Sequence, residues 1–294
     1  MRAERRRCRG PVLVLVCVPW IAGCGWTQKI AVGSMVPILE NTAAAAREKS
    51  DLETVGMGYA GNLLLLDGLI RTEPDRRELL ELGSYLYFGY GLGFVERDDP
   101  ARAGEYYAIG RDYGLRALDR NGGFRKGRNG SLEEFRTGLQ SLGRDDVRAL
   151  AWTCANWGRW LSLNLDTPAA MVQMPRVEAS LDRLLEIDPE FERGLPYALR
   201  GAYDAMRPAM FGGDPERAKG EFEAALRISE KRMLLYQVFY AEFYCRQVLD
   251  EDCFVGLLDA VVAAPDTLLP DSRLLNEIAQ QRALALRDKR SEWF

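Results

Sequence analysis

Shifted by 115 residues, this chain falls on itself. Leu66-Asp67-x-Leu69-Ile70 lands on Leu181-Asp182-x-Leu184-Leu185, Glu73-Pro74-Asp75 on Asp188-Pro189-Glu190, and Leu80 on Leu195. Asp99-Pro100 lands on Asp214-Pro215, Arg102-Ala103 on Arg217-Ala218, and Tyr107 on Phe222. One ungapped offset holding for about 40 residues predicts an internal duplication, with copies at 60–118 and 175–233.

The repeated unit is helical. Apolar residues recur at three and four: Val177, Leu181, Leu184 and Leu185 share a face, as do Ala218, Phe222, Ala225 and Leu226, and Leu274, Ile278, Ala283 and Leu284 carry the pattern toward the C-terminus. No segment alternates as a strand would, so the chain is predicted to be all-α. Helix starts are written out: Asp99-Pro100 and Asp214-Pro215 set a capping carboxylate before a proline, Ser131 with Glu134 forms a capping box, and Asp145-Asp146 precede Val147. Ala103, Tyr107 and Gly110, and again Ala218, Phe222 and Ala225, have the small-large-small spacing of a second tetratricopeptide helix. The first helices are longer than that repeat allows. A compact closed bundle is therefore expected rather than an open solenoid.

The first 23 residues are a different object. They hold five Arg and one Glu, whereas the rest of the chain carries a net −8. Pro11 to Gly23 is a charge-free run of thirteen residues, too short for a bilayer span. It reads as a signal peptide ending in Ile21-Ala22-Gly23-Cys24, a pattern that resembles a bacterial lipobox. Cleavage after Gly23 would leave a lipidated Cys24 as the first residue of one domain over 24–294. Gly25 in place of Asp removes the usual inner-membrane retention signal and points to the outer membrane. Cys245 and Cys253 enclose a polar segment, where a disulfide and a pair of buried thiols are both open readings.

Composition excludes much chemistry. The chain has no histidine, which removes Ser-His triads, Cys-His dyads and most catalytic zinc sites. A net charge of −4 argues against a nucleic-acid binder. The acid pairs Asp98-Asp99, Glu133-Glu134 and Asp145-Asp146 sit at helix starts, where capping explains them. The basic Gly122 to Gly130 segment follows no strand and lacks Gly-Lys-Ser/Thr, so it is read as a mobile loop rather than a phosphate cradle. Neither an enzyme, a cofactor nor a metal site is expected. Trp152, Trp157 and Trp160 lie on one expected helix over 146–163, with Trp152 and Trp160 near one face. Tyr87, Tyr90 and Phe94 share a face opposite Gly89 and Gly93, which would let a neighbouring helix approach.

Beyond the lipobox, Gly93-Phe94-Val95-Glu96, the run Gly110-Arg111-Asp112-Tyr113-Gly114-Leu115-Arg116-Ala117-Leu118, Ala151-Trp152-x-x-Ala155-x-Trp157-Gly158, Gly212-Gly213-Asp214-Pro215, Tyr240-Ala241 with Tyr244-Cys245, and Arg273-Leu274-Leu275-Asn276 resemble the T components of tripartite ATP-independent periplasmic (TRAP) transporters, often called TatT. The resemblance implies an all-α periplasmic lipoprotein with cryptic tetratricopeptide-like repeats, a homotrimer, an apolar pore in each protomer, and a TRAP-type solute-binding protein as partner. With the surplus of aromatic residues, it makes Phe88, Tyr90, Trp152, Trp157, Trp160 and Tyr203 the candidates to line a path for a hydrophobic ligand. The competing reading is a tetratricopeptide-type scaffold lipoprotein of envelope assembly, with a peptide groove and no enclosed pore. A carboxylate hydrolase of envelope polymers would need two acids facing across a cleft.

Overall fold

A computed structural model describes residues 23–207 and 212–294, with side chains from residue 29 onward. Residues 1–22 of the leader and the Cys24 thiol lie outside the described residues. The described chain is all-α, and none of its helices is long and apolar enough to cross a membrane.

The first helix, α1 (Gly23–Arg47), buries Val32, Val36, Leu39 and Ala43, a four-three-four stripe that faces the body. Asp51 caps α2 (Leu52–Thr72) by accepting from Thr54 N at 3.1 Å, and Val55, Tyr59, Leu63, Leu66 and Ile70 form its inner face. Next, α3 (Arg77–Tyr90) is buried without interruption from Leu79 to Gly89, which makes it the central helix. It continues into a π-helical turn at Gly91–Val95 before α4 (Pro100–Leu118). Helices α3, α4 and α7 (Val147–Ser162) pack on one another closely. Glycine makes that possible: a Cβ at Gly110 would stand 2.4 Å from Asn156 Oδ1, and one at Gly114 2.1 Å from Thr153 Oγ1. These two glycines of the 110–118 run hold α4 against α7.

Between α4 and α7, the expected mobile loop is a small helical hairpin. Asn121 caps α5 (Gly122–Gly127) by accepting from Gly123 N and Phe124 N, and Phe124 is fully buried against Phe135 of α6 (Leu132–Gln140). The glycine content misleads here because Gly127 and Gly138 serve close packing rather than mobility: a Cβ at Gly127 would stand 2.1 Å from Glu134 O. The Ser131–Glu134 capping box forms as expected. Asp146 does something else: its carboxylate accepts from Gly143 N at 3.0 Å and pairs with Arg77 at 3.1 Å, instead of capping α7.

The second half continues with α8 (Pro168–Ile187), α9 (Phe191–Ala205) and α10 (Pro215–Ile228); Asp99 caps α4 and Asp214 caps α10, each accepting from the N–H three residues on at 3.0 Å. Ala103, Tyr107, Ala218 and Phe222 are all fully buried. Individual contacts differ between the halves. Tyr107 packs on Gly91, whereas Phe222 packs on Gly201, and those glycines do not stand 115 residues apart. Beyond α10, α11 (Leu234–Phe239) runs into a second π-helical turn at Tyr240–Cys245, followed by α12 (Glu251–Val262), α13 (Arg273–Asp288) and the short α14 (Arg290–Trp293). Cys245 and Cys253 form a disulfide across the turn into α12, with Cα atoms 5.7 Å apart.

Candidate functional site

Two adjoining spaces share a wall of α3, α7 and α9, the inner one closed by α2, α11 and α13 and the outer one by α1. The inner one is an apolar void of about 30 Å³ among Tyr59, Tyr85, Phe88, Trp152, Tyr236 and Ile278. The outer one is an open basin of about 400 Å³ that carries Glu40, Arg47, Arg148 and Phe191. Tyr85, Trp152 and Glu192 belong to both walls and so divide them. Tyr85 and Trp152 stack as tilted rings 4.8 Å apart, and Phe88 lies 5.8 Å from Trp152. The inner space in this conformation is about the size that admits a single water.

The dividing segment is strained. Glu192, Arg193 and Gly194 open α9 with φ of 45°, 58° and 93°, a left-handed run that two non-glycine residues occupy at a cost of about 1–3 kcal/mol each. Surrounding groups hold it there: the Tyr236 hydroxyl donates to Glu192 O, Arg193 pairs with Asp271 at 2.7 Å, and Arg47 stands 3.9 Å from the Glu192 carboxylate. A Cβ at Gly194 would stand 3.3 Å from Ile228, so α9 and α10 press together at this point.

Of the six aromatic candidates, Phe88 and Trp152 meet at the void. Tyr90 sits one shell out, stacked 6.3 Å from Tyr59, whose ring lines the void. Trp157 and Trp160 stand elsewhere, because the Arg111 guanidinium of α4 covers both rings at 5.8 and 5.6 Å, and Trp157 Nε1 donates to Gln173 at 2.6 Å. The expected pairing of Trp152 with Trp160 on one face is thereby replaced by a pairing of Trp157 with Trp160. Tyr203 lies beneath a separate groove of about 600 Å³ with Met171, Met174 and Met206, and its hydroxyl donates to Met174 O at 2.8 Å. Gly89 and Gly93 admit side chains rather than a whole helix: Tyr59 faces the first and Ile278 the second, where a Cβ would stand 2.6 Å away.

A buried charge cluster escaped the sequence reading. Glu96, just past the first π-helical turn, and Glu242, within the second, share Arg159 of α7 and Arg282 of α13. Arg282 donates to Glu96 and Glu242 at 3.0 Å each, Arg159 Nε donates to Glu96 at 3.1 Å, and the Tyr107 hydroxyl donates to Glu96 at 2.5 Å. Burial alone would raise both carboxyls, but the two arginines outweigh it and hold them below the usual range. Phe239 and Phe243 flank the Arg159 guanidinium at 5.7 and 5.2 Å. The cluster is electrically balanced and both carboxylates are engaged by the two arginines, although Arg282 Nε is left buried without a partner, which suits it to fixing four elements in register rather than to proton transfer. Its one signal in the sequence is Glu96 at the end of Gly93-Phe94-Val95-Glu96. Cys154 is buried, and burial pushes its thiol far up, so it is inert.

Comparison with known proteins bears on this arrangement. A family model described as TRAP transporter T-component matches residues 48–294. An uncharacterized protein of Treponema pallidum (strain Nichols) is 24% identical over 266 residues, an alignment covering 84% of this chain and 81% of that protein.

Proposed function

We infer the function from one premise: the chain belongs to the TRAP transporter T-component family, and is therefore an accessory component of a TRAP-type transport system and not a member of a known enzyme family. On that premise we propose that it is a periplasmic lipoprotein, cleaved after Gly23 and anchored through Cys24 to the outer membrane, forming one domain over 24–294. It works as a homotrimer, binds a TRAP-type solute-binding protein, and offers that partner's hydrophobic ligand an apolar path. The copies at 60–118 and 175–233 are the duplicated helical units from which the protomer is built.

One observation carries the ligand reading: an aromatic void and an open basin share a wall made of Tyr85, Trp152 and the strained Glu192. A void of this size does not hold an organic molecule, so entry requires the wall to yield, and a left-handed run at its edge makes the closed state costly to hold. The Cys245–Cys253 disulfide suits an oxidising compartment.

The test uses 1-N-phenylnaphthylamine, an apolar dye whose fluorescence rises on leaving water. Saturable binding to the purified chain, lost in Trp152→Ala while circular dichroism at 222 nm is retained, is the expected result. Absence of saturable binding in the wild-type chain leaves the scaffold reading.

A further inference from the structure

The basin outside the aromatic void carries four charged side chains, and its two cations are only partly engaged. Among the described residues, Arg148 of α7 uses one of its five donors, on Glu40 at 3.2 Å. Arg47, in the last turn of α1, donates to no described residue, and its carboxylate neighbour Glu192 stands 3.9 Å away, beyond hydrogen-bond reach. Solvent reaches both guanidiniums, at 36% and 42% exposure. Glu192 belongs to both walls, so Arg47 stands where the basin gives way to the void. The field there has a sign. Burial raises the hydroxyls of Tyr85 and Tyr59, whose rings line the void. Arg47 is the strongest charge opposing that rise at Tyr85, Arg148 adds to it, and Glu192 works the other way. At Tyr59, Arg47 again opposes the rise. An anion is therefore favoured at the mouth of the void, although two carboxylates share the basin.

We infer that Arg47 and Arg148 form the head-group site for an amphiphilic anion, a carboxylate or sulfonate on an apolar body, which passes Tyr85 and Trp152 into the void. This rests on the transport role proposed above and names the chemistry of the ligand. The head group takes the place of the Glu192 carboxylate beside Arg47, and makes charge-assisted hydrogen bonds that the 3.9 Å pair does not. Glu192 opens the left-handed run at φ 45°, and its pair with Arg47 is one of the three contacts that hold that run. Releasing it loosens the strained segment at the edge of the wall that must yield. Binding in the basin is thus coupled to entry into the void, since the anion favours the state in which Glu192 is displaced. A neutral apolar molecule cannot displace Glu192, so it enters more slowly.

A matched pair of dyes tests this. 8-Anilinonaphthalene-1-sulfonate is 1-N-phenylnaphthylamine with a sulfonate added, so the two share an apolar body and differ in the head group. With the purified chain in low salt, both are expected to bind saturably, the sulfonate entering faster and with an affinity that falls as salt rises. Arg148→Gln should weaken the sulfonate about tenfold and leave the neutral dye within about twofold. Arg47→Gln should move the two dyes in opposite senses, weakening the sulfonate by a similar factor while the neutral dye enters faster, because Glu192 is released. Glu192→Gln should speed both. All three side chains are partly exposed, so far-ultraviolet circular dichroism should be unchanged in each variant. Equal, salt-independent binding of the two dyes, or a sulfonate affinity unmoved by both arginine changes, would overturn the head-group site and leave the apolar path standing. So would displacement of the neutral dye by dodecyltrimethylammonium in preference to dodecanoate, which would assign the basin to a cation. Neutral-dye entry no faster in Arg47→Gln would overturn the exchange with Glu192. If neither dye binds the wild type, the apolar path fails together with the site.

Discussion

Replacing Arg159 by methionine removes one corner of the buried cluster without emptying its volume. The guanidinium is 5% exposed and contacts Glu96 through two donors and Glu242 at 3.5 Å. After the change, Arg282 alone faces both carboxylates, and a net negative charge stays buried between the two π-helical turns. Breaking a buried ion pair in this way costs about 3–5 kcal/mol, a large share of a domain's stability. The acid side follows from Glu96, whose folded value is held at about 2 while the unfolded chain titrates in the ordinary range. Its contribution is thus complete above the ordinary carboxylate range and disappears as pH falls toward about 2. In Arg159→Met one of the two arginines is gone, so Glu96 rises toward its unfolded value, and the stability lost on acidification becomes smaller and is complete at a higher pH. Urea titrations followed by tryptophan fluorescence, repeated from pH 7 to pH 3, measure both effects. Adding Glu96→Gln to Arg159→Met should recover part of the loss, because the uncompensated charge goes. A single-variant cost below about 1 kcal/mol, or additive losses in the double variant, would refute the reading of the cluster as a coupled clamp.

Ala218 of α10 is fully buried and α10 packs on α9, so Ala218→Leu should overpack the core there and cost about 1–3 kcal/mol by the same titration. Gly127→Ala should destabilise by a similar amount, about 1–3 kcal/mol, because its Cβ would collide with the Glu134 carbonyl; an unchanged urea midpoint would return this segment to a loose loop. Thiol titration of the unfolded, unreduced chain beginning at Gly25 should find Cys154 alone, and three free thiols would remove the Cys245–Cys253 bridge. Mass spectrometry of the membrane-extracted protein should find a diacylglyceryl group on an N-terminal Cys24, and a soluble product starting elsewhere would remove the anchor.

Local grammar was legible where a few neighbouring residues suffice. Asp99, Asp214 and the Ser131–Glu134 box mark their helix starts because capping is settled within one turn. The Gly122–Gly127 helix was missed because composition cannot tell a glycine that loosens a chain from one that lets two backbones touch, and Gly127 is of the second kind. The two π-helical turns shift the hydrogen-bond register by one residue, which leaves no trace in three-and-four spacing. Site residues were legible only in part. Phe88 and Trp152 meet through α3 and α7, but Arg111, far away in sequence, draws Trp157 and Trp160 to another face. Glu96, Arg159, Glu242 and Arg282 come from four distant segments, so no local window contains the cluster that joins them.

The central claim is that this chain serves a TRAP system by engaging a solute-binding protein that carries a hydrophobic ligand. Isothermal titration calorimetry of the soluble chain beginning at Gly25 against a TRAP-type solute-binding protein of the same organism tests this directly. Saturable binding, with an affinity that changes when that protein is loaded with its ligand, is the result expected. No heat of binding to either the loaded or the empty form, at protein concentrations up to the solubility limit, would contradict the claim.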